Sequence, residues 1–209
     1  MTTPRSESPD TRRLDGYEVL VAVCGGIAAY KACEVVSRLV QRGAGVTVAM
    51  SKAATRFVGP VTFQALSGRR VLLSLWHPED AARIEHITQT GAADLILVAP
   101  ATANIIGKLA AGIADDLVST MLISAASPIL MAPSMNDRMW GHPMVQRNIK
   151  MLSDHDVRII PPGSGWLACR SVGAGRLAEP ADILDTVVST LTAHPPKSVP
   201  RPTGSGPAQ

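Results

Sequence analysis

Three side chains stand out for the chemistry their types and settings allow. His86, in the run RIEHI, can exchange protons near neutral pH without a large pKa adjustment, so it is a candidate general base; the bland alternative is a structural or surface histidine. Cys169 lies in PPGSGWLACRSVGAGRL, a glycine-rich stretch that reads as a flexible flap. A thiol there could deliver a proton or electrons to a bound intermediate, or it could be an inert buried side chain. Asn136 belongs to APSMNDRMWGHP, directly after an apolar run. Its amide could donate to a carboxylate without adding charge, or cap a helix, while Met135, Met139 and Trp140 beside it could line a pocket or pack in a core. His77, His142, His155 and His194 show no ligand spacing with one another or with His86, so no metal site is expected.

A second group of residues suits an anion or a flat ring. Gly25-Gly26 follows a short apolar run and opens an amphipathic stretch, a place where backbone amides and a helix N-terminus can meet a phosphate. The alternative is that the glycines only make the turn tight, and the dinucleotide pattern GxGxxG is missing, so a mononucleotide is easier to defend than NAD. Ser51 and Thr55, after the next apolar run, could bind phosphate or cap a helix. In APATANIIGK, Thr102 could cap a helix, while the small residues around Asn104 would let backbone groups approach a planar ligand closely.

The elements that must position these residues follow from hydrophobic periodicity. YEVLVAVC at 17–24 reads as a strand; Ile27, Ala28, Lys31, Ala32, Val35, Val36, Leu39 and Val40 recur at helical spacing; VTVAM at 46–50 returns as a strand, completing a β-α-β unit. Further strands are expected at 95–99, 128–132 and 157–160, and helices at about 103–111, 115–126, 136–152 and 180–193. The fold class is α/β: a three-layer, doubly wound parallel sheet. In such sheets ligands sit beyond the carboxyl ends of the strands, and the unusual loops here all follow strands, so they should gather on one edge.

A chain of 209 residues with 46% hydrophobic content is enough for one domain with a sizeable core, taken as 17–194. Residues 1–16 are polar and 195–209 are rich in Pro, Ser and Gly, so both are expected to be mobile, disordered tails. The formal charge of +3 is mild and its lysines and arginines are scattered, so no nucleic-acid partner is expected. Three irregularly spaced cysteines fit a reducing cytoplasm, and no segment approaches the ~20 apolar residues of a membrane helix.

Taken in order, GGIAAYK at 25–31, the His86-Ile87 pair, PATANIIGKLAAGIADDL at 100–117, PSMNDRMW at 133–140, and LAC with GAGRLAEP within 167–180 resemble the homo-oligomeric flavin-containing cysteine decarboxylase family. The resemblance covers about residues 17–190. It implies a flavodoxin-like or Rossmann-like domain that binds FMN between the subunits of a homotrimer, with trimers sometimes assembled into dodecamers. It also implies that Gly25, Gly26, Ile27, Ser51, Thr102, Ala103, Asn104 and Ser134 contact FMN. His86 would be the base, Asn136 would hold the substrate carboxylate beside Met135 and Met139, and Cys169 would help return reducing equivalents.

The implied reaction is oxidative decarboxylation of a substrate ending in a cysteine carboxylate, with the cofactor supplying the redox chemistry. The intact PxMNxxMW block and Cys169 favour 4′-phosphopantothenoylcysteine, giving 4′-phosphopantetheine for coenzyme A synthesis. The family usually follows LAC with Gly-Asp, whereas Arg170 and Ser171 stand here, which favours the C-terminal cysteine of a precursor peptide as the alternative substrate. A non-catalytic flavin-binding regulatory subunit is a further alternative, and a flavin prenyltransferase of similar fold fits His86 and PSMNDRMW less well.

Overall fold

The apolar run Glu18–Val23 forms β1, and its alternating side chains are buried on both sides. Val19, Val21 and Val23 enter one core cluster, while Leu20 and Ala22 enter another. A strand sandwiched between two helical layers has no solvated face, which is why the sequence shows continuous apolar runs rather than alternation with polar residues. The computed structural model describes residues 13–76 and 85–197. In chain order β1 is followed by α1 (Ala29–Gln41), β2 (Gly45–Met50), α2 (Pro60–Ser67), α3 (Glu85–Ala92), β3 (Leu95–Ala101), α4 (Ala103–Ala110), α5 (Leu117–Ile123) and β4 (Ile129–Pro133). Then come α6 (Asp137–Trp140), α7 (Pro143–Asp154), β5 (Arg158–Ile159), the pair β6 (Gly163–Trp166) and β7 (Val172–Arg176), and α8 (Pro180–Leu191).

The five-stranded sheet is parallel throughout, in the order β2-β1-β3-β4-β5. This is the flavodoxin-like order, whose topological switch point lies between β1 and β3. One face of the sheet carries α1, α2 and α8, through Val35, Leu39, Phe63, Ile183 and Val187. The other carries α4, α5 and α7, through Ile106, Val118, Met121 and Leu152. Each such buried apolar side chain contributes roughly 1.5–3 kcal/mol relative to exposure, so the sheet is the rigid platform for the loops at its edge.

The expected strands and the helices at 103–111, 115–126 and 180–193 agree with this structure to within a few residues. Four readings are corrected. The single helix expected over 136–152 is two helices, because His142 caps α7 with Pro143 at its first position and so starts a new element. The amino-terminal tail boundary stops short: Leu14 is fully buried in the core and its N–H donates to Arg42 O at 2.7 Å. At the other end Lys197 is docked, its N–H donating to Asp94 Oδ1 at 2.7 Å and its ammonium to Ala93 O at 2.9 Å. The glycine-rich flap is an ordered antiparallel hairpin, β6–β7, tied to the sheet edge by Met135 N–H donating to Gly175 O at 2.9 Å.

Candidate functional site

Every strand-end loop singled out in the sequence opens onto one cavity of about 760 Å³ at the carboxyl edge of the sheet. Its floor is the switch point. Gly25, Gly26 and Ile27 follow β1 on one side, and Thr102, Ala103 and Asn104 follow β3 on the other. Ser51 and Lys52, after β2, close one flank; Ser134, Met135, Asn136 and Met139, after β4, close the other. The hairpin contributes Trp166, Leu167 and Cys169 as a wall.

Backbone donors are presented at the start of α1, whose first turn has no side-chain cap and no acidic residue. A helix N-terminus left open in this way favours an anion. By contrast α4 is capped by Thr102, whose hydroxyl accepts from Ile105 N–H at 3.4 Å. Ser51 makes a local turn, accepting from Ala54 N–H at 3.3 Å, and still lines the cavity. Thr55 points elsewhere: its hydroxyl donates to Lys52 O at 2.9 Å and it is not part of the wall.

Both readings of Asn136 hold together. Its Oδ1 accepts from Met139 N–H at 2.8 Å as the cap of α6, which leaves its amide NH2 as the group free to donate on the cavity side. Met135 packs partly against the second core cluster, while Met139 is 44% exposed and belongs to the wall rather than to the core. Cys169 is exposed at the hairpin loop, 3.1 Å from Ser171 Oγ. His86 falls on the first turn of α3, and its side chain lies outside the described residues.

Charge in the wall is unbalanced towards positive: Lys31, Lys52 and Arg176 face the cavity with Asp116. Lys31 donates to Glu179 at 3.1 Å and Arg176 pairs with the same carboxylate at 2.9 Å. Glu179 is held below the usual carboxylate range by the Lys31 hydrogen bond first and by Arg176 in addition. Burial pushes the Asp116 carboxyl up, but the Lys108 ammonium and the Ser119 N–H and hydroxyl outweigh it and hold it low. The Cys24 thiol, also on the wall, is pushed up to about 12, chiefly by burial, so it stays protonated and unreactive.

Lys31, Asp116 and Arg176 were not singled out from sequence. A charged residue on the apolar stripe of a helix is the signal that Lys31 carried, since such a residue needs a partner; its partner lies 148 positions away and only the fold reveals it. Among the described residues no group of three His, Cys, Asp or Glu side chains is placed to hold a metal ion, and no helix is long and apolar enough to cross a membrane.

Comparison with known proteins places these features in context. The family model described as Flavoprotein matches residues 7–192. The chain is similar to the coenzyme A biosynthesis bifunctional protein CoaBC of Bacillus subtilis (strain 168), 51% identical over 171 residues, covering 82% of this chain and 42% of that protein. It is similar also to the CoaBC protein of Escherichia coli (strain K12), 43% identical over 176 residues, covering 84% and 43%. The chain thus spans about two-fifths of the length of these curated relatives. Among solved structures, a mutant PPC decarboxylase complexed with pantothenoylaminoethenethiol superposes with a TM-score of 0.74 at 28% identity, covering 83% of this chain and 97% of that one. The FMN-dependent cysteine decarboxylase SpaF gives 0.72 at 28% identity, covering 85% and 96%.

Proposed function

The chain belongs to the flavoprotein family, and on that premise we propose that it is an FMN-dependent decarboxylase acting on 4′-phosphopantothenoylcysteine to give 4′-phosphopantetheine. The observation that carries this reading is the convergence at one cavity of Asn136 at the cap of α6, the hairpin thiol Cys169 and the open N-terminus of α1. The identity to coenzyme A biosynthesis proteins, 51% and 43%, supports the substrate.

The residues fit a flavin mononucleotide. Gly25, Gly26 and Ile27 at the uncapped start of α1, with the Ser51 hydroxyl beside them, would hold its phosphate end. Thr102, Ala103, Asn104 and Ser134 would hold the remainder against the small-residue loops after β3 and β4. When bound, the flavin supplies the oxidation that makes the cysteine carboxylate a leaving group and the reduction that returns a saturated thiol.

The protein groups bind and orient. The Asn136 amide, with its oxygen fixed by Met139 N–H, offers its NH2 to the substrate carboxylate, and because it adds no full charge it does not hold that carboxylate too strongly for carbon dioxide to leave the substrate. Met135 and Met139 flank that carboxylate and keep water from it. His86 acts as the base, and Cys169 holds a proton at the hairpin wall. Lys31, Lys52 and Arg176 favour an anionic substrate electrostatically. We further assign a homotrimer, with a dodecamer as its higher assembly, and a cytoplasmic location; Ile27 and Tyr30, each 60% exposed at the cavity rim, support a second copy covering that rim.

A second reading is favoured by one observation. The hairpin loop that bears Cys169 carries Arg170 and Ser171, a departure that suits decarboxylation of the C-terminal cysteine of a peptide. Incubating the purified yellow protein with phosphopantothenoylcysteine, or separately with a peptide ending in cysteine, and following both product mass and flavin spectrum distinguishes the two. A saturated 4′-phosphopantetheine product is the expected result. Turnover of the peptide alone, with loss of carbon dioxide and two hydrogens, would replace that substrate, and turnover of neither would overturn the decarboxylase assignment.

A further inference from the structure

The hairpin loop is closed by Arg170 N–H donating to Leu167 O at 2.9 Å and Leu167 N–H donating to Ser171 O at 2.8 Å, with Arg170 at φ 65°. A left-handed residue at the end of a three-residue hairpin loop is where glycine is favoured. This geometry turns the Cys169 and Ser171 side chains to the same side, Sγ and Oγ 3.1 Å apart. Ser171 Oγ in turn donates to Asp137 Oδ1 at 3.2 Å. A serine hydroxyl has one proton. Once that proton goes to the carboxylate, the hydroxyl faces Cys169 with its lone pairs, and the thiol must be the donor in their contact.

From this chain of hydrogen bonds we propose that Ser171 and Asp137 are positioning residues for Cys169, fixing the direction of its S–H at the cavity wall. Asp137 follows Asn136 directly, so one dipeptide at the start of α6 registers both the carboxylate donor and the thiol. The close packing of β7 on that dipeptide supports the registration: a Cβ on Gly173 would lie 2.7 Å from Asp137 Cβ, so only glycine lets the strand approach.

The inference rests on the decarboxylase reading for its catalytic meaning, but its test needs no substrate. The flavin-loaded protein is treated with iodoacetamide at one fixed pH, and modification of Cys169 is followed by peptide mass mapping. In Asp137→Ala the Ser171 proton loses its acceptor, the S–H is no longer held, and the Cys169 rate rises about three- to tenfold, the equivalent of one hydrogen bond. Ser171→Ala behaves in the same direction, while Ser171→Thr, which keeps the hydroxyl, is modified at the rate of the unmodified protein. With substrate, Ser171→Ala lowers kcat for the saturated product and leaves KM unchanged. Identical Cys169 modification rates in all these proteins would overturn the proposal, as would Ser171→Thr behaving like Ser171→Ala. A raised rate in the Ser171→Ala form of a protein that turns over neither substrate would uphold the positioning and overturn the decarboxylase reading.

Discussion

Gly25 and Gly26 are chemically identical neighbours in the first strand-to-helix turn, and the structure assigns them different tolerances. A Cβ added at Gly25 would meet Ala53 Cβ and lie 2.7 Å from the Ala53 carbonyl carbon. Carbon contacts settle near 3.5–4.0 Å, so the loops after β1 and β2 would have to part by about 1 Å. A Cβ at Gly26 would have Thr102 Cγ2 at 3.8 Å and Pro100 Cγ at 4.0 Å as its nearest neighbours, ordinary contact distances. Overpacking of the first kind costs about 1–3 kcal/mol. For a chain of this size that lowers Tm by about 2–12 °C, whereas Gly26→Ala changes it by under about 2 °C. Because those two loops also frame the proposed phosphate site, Gly25→Ala weakens FMN binding by about five- to thirtyfold, equivalent to about 1–2 kcal/mol. Thermal melts with and without excess FMN, and fluorescence titration of the flavin, measure both effects. Gly25→Ala melting with the unmodified protein, or Gly26→Ala falling as far as Gly25→Ala, would refute the packing argument.

Arg170→Gly relieves the left-handed strain of about 1–2 kcal/mol at φ 65°, offset by the greater freedom of glycine in the unfolded chain, for a net gain of about 0.5–1 kcal/mol; a melting temperature below the unmodified value would contradict it. Under native conditions at pH 8, thiol labelling reaches exposed Cys169 first, partly buried Cys33 more slowly, and Cys24 only on unfolding, as peptide mapping would show. Asp116→Ala removes the capping box of α5 and costs about 1 kcal/mol at pH 7 by urea unfolding. Since the folded Asp116 carboxyl is depressed below its unfolded value near 3.9, its contribution is present above that value and lost as pH falls through the lower folded one. The gap between Asp116→Ala and the unmodified protein therefore narrows only below about pH 4, and a gap already closed at pH 6 would refute the assignment.

Some of what went unread was nevertheless written in the chain. Pro60 at the first turn of α2 and Gly68 at φ 66° after its last are start and stop signals, yet the intervening VTFQALS has no strong amphipathic stripe to draw attention to them. Gly141-His142-Pro143 likewise announces a break between α6 and α7. The β6–β7 hairpin is different in kind. Its strands GSGW and VGAGR are poor in β-branched and aromatic residues, so local propensity argues against them. Two of those glycines, Gly173 and Gly175, are there for tertiary reasons: at φ 123° Gly175 brings its backbone against Met135 O, which no side chain at that position would permit.

What the sequence by itself determined is the layered frame and the address of the site. Apolar runs buried on both faces dictate parallel strands, their spacing by amphipathic stretches dictates the crossovers, and in such a sheet the loops after the strands must share one edge. Gly25, Ser51, Thr102 and Asn136 were locatable on that basis alone, because each follows a strand. Which atoms meet across that edge was decided only by tertiary structure. Lys31 finds Glu179 148 positions away, the loops at Gly25 and Ala53 touch, and the hydroxyl of Ser171 reaches Asp137 34 positions back along the chain. Periodicity is a property of neighbours in sequence, whereas the direction of a hydrogen bond between distant segments depends on distances of a few tenths of an ångström that only the packed core sets.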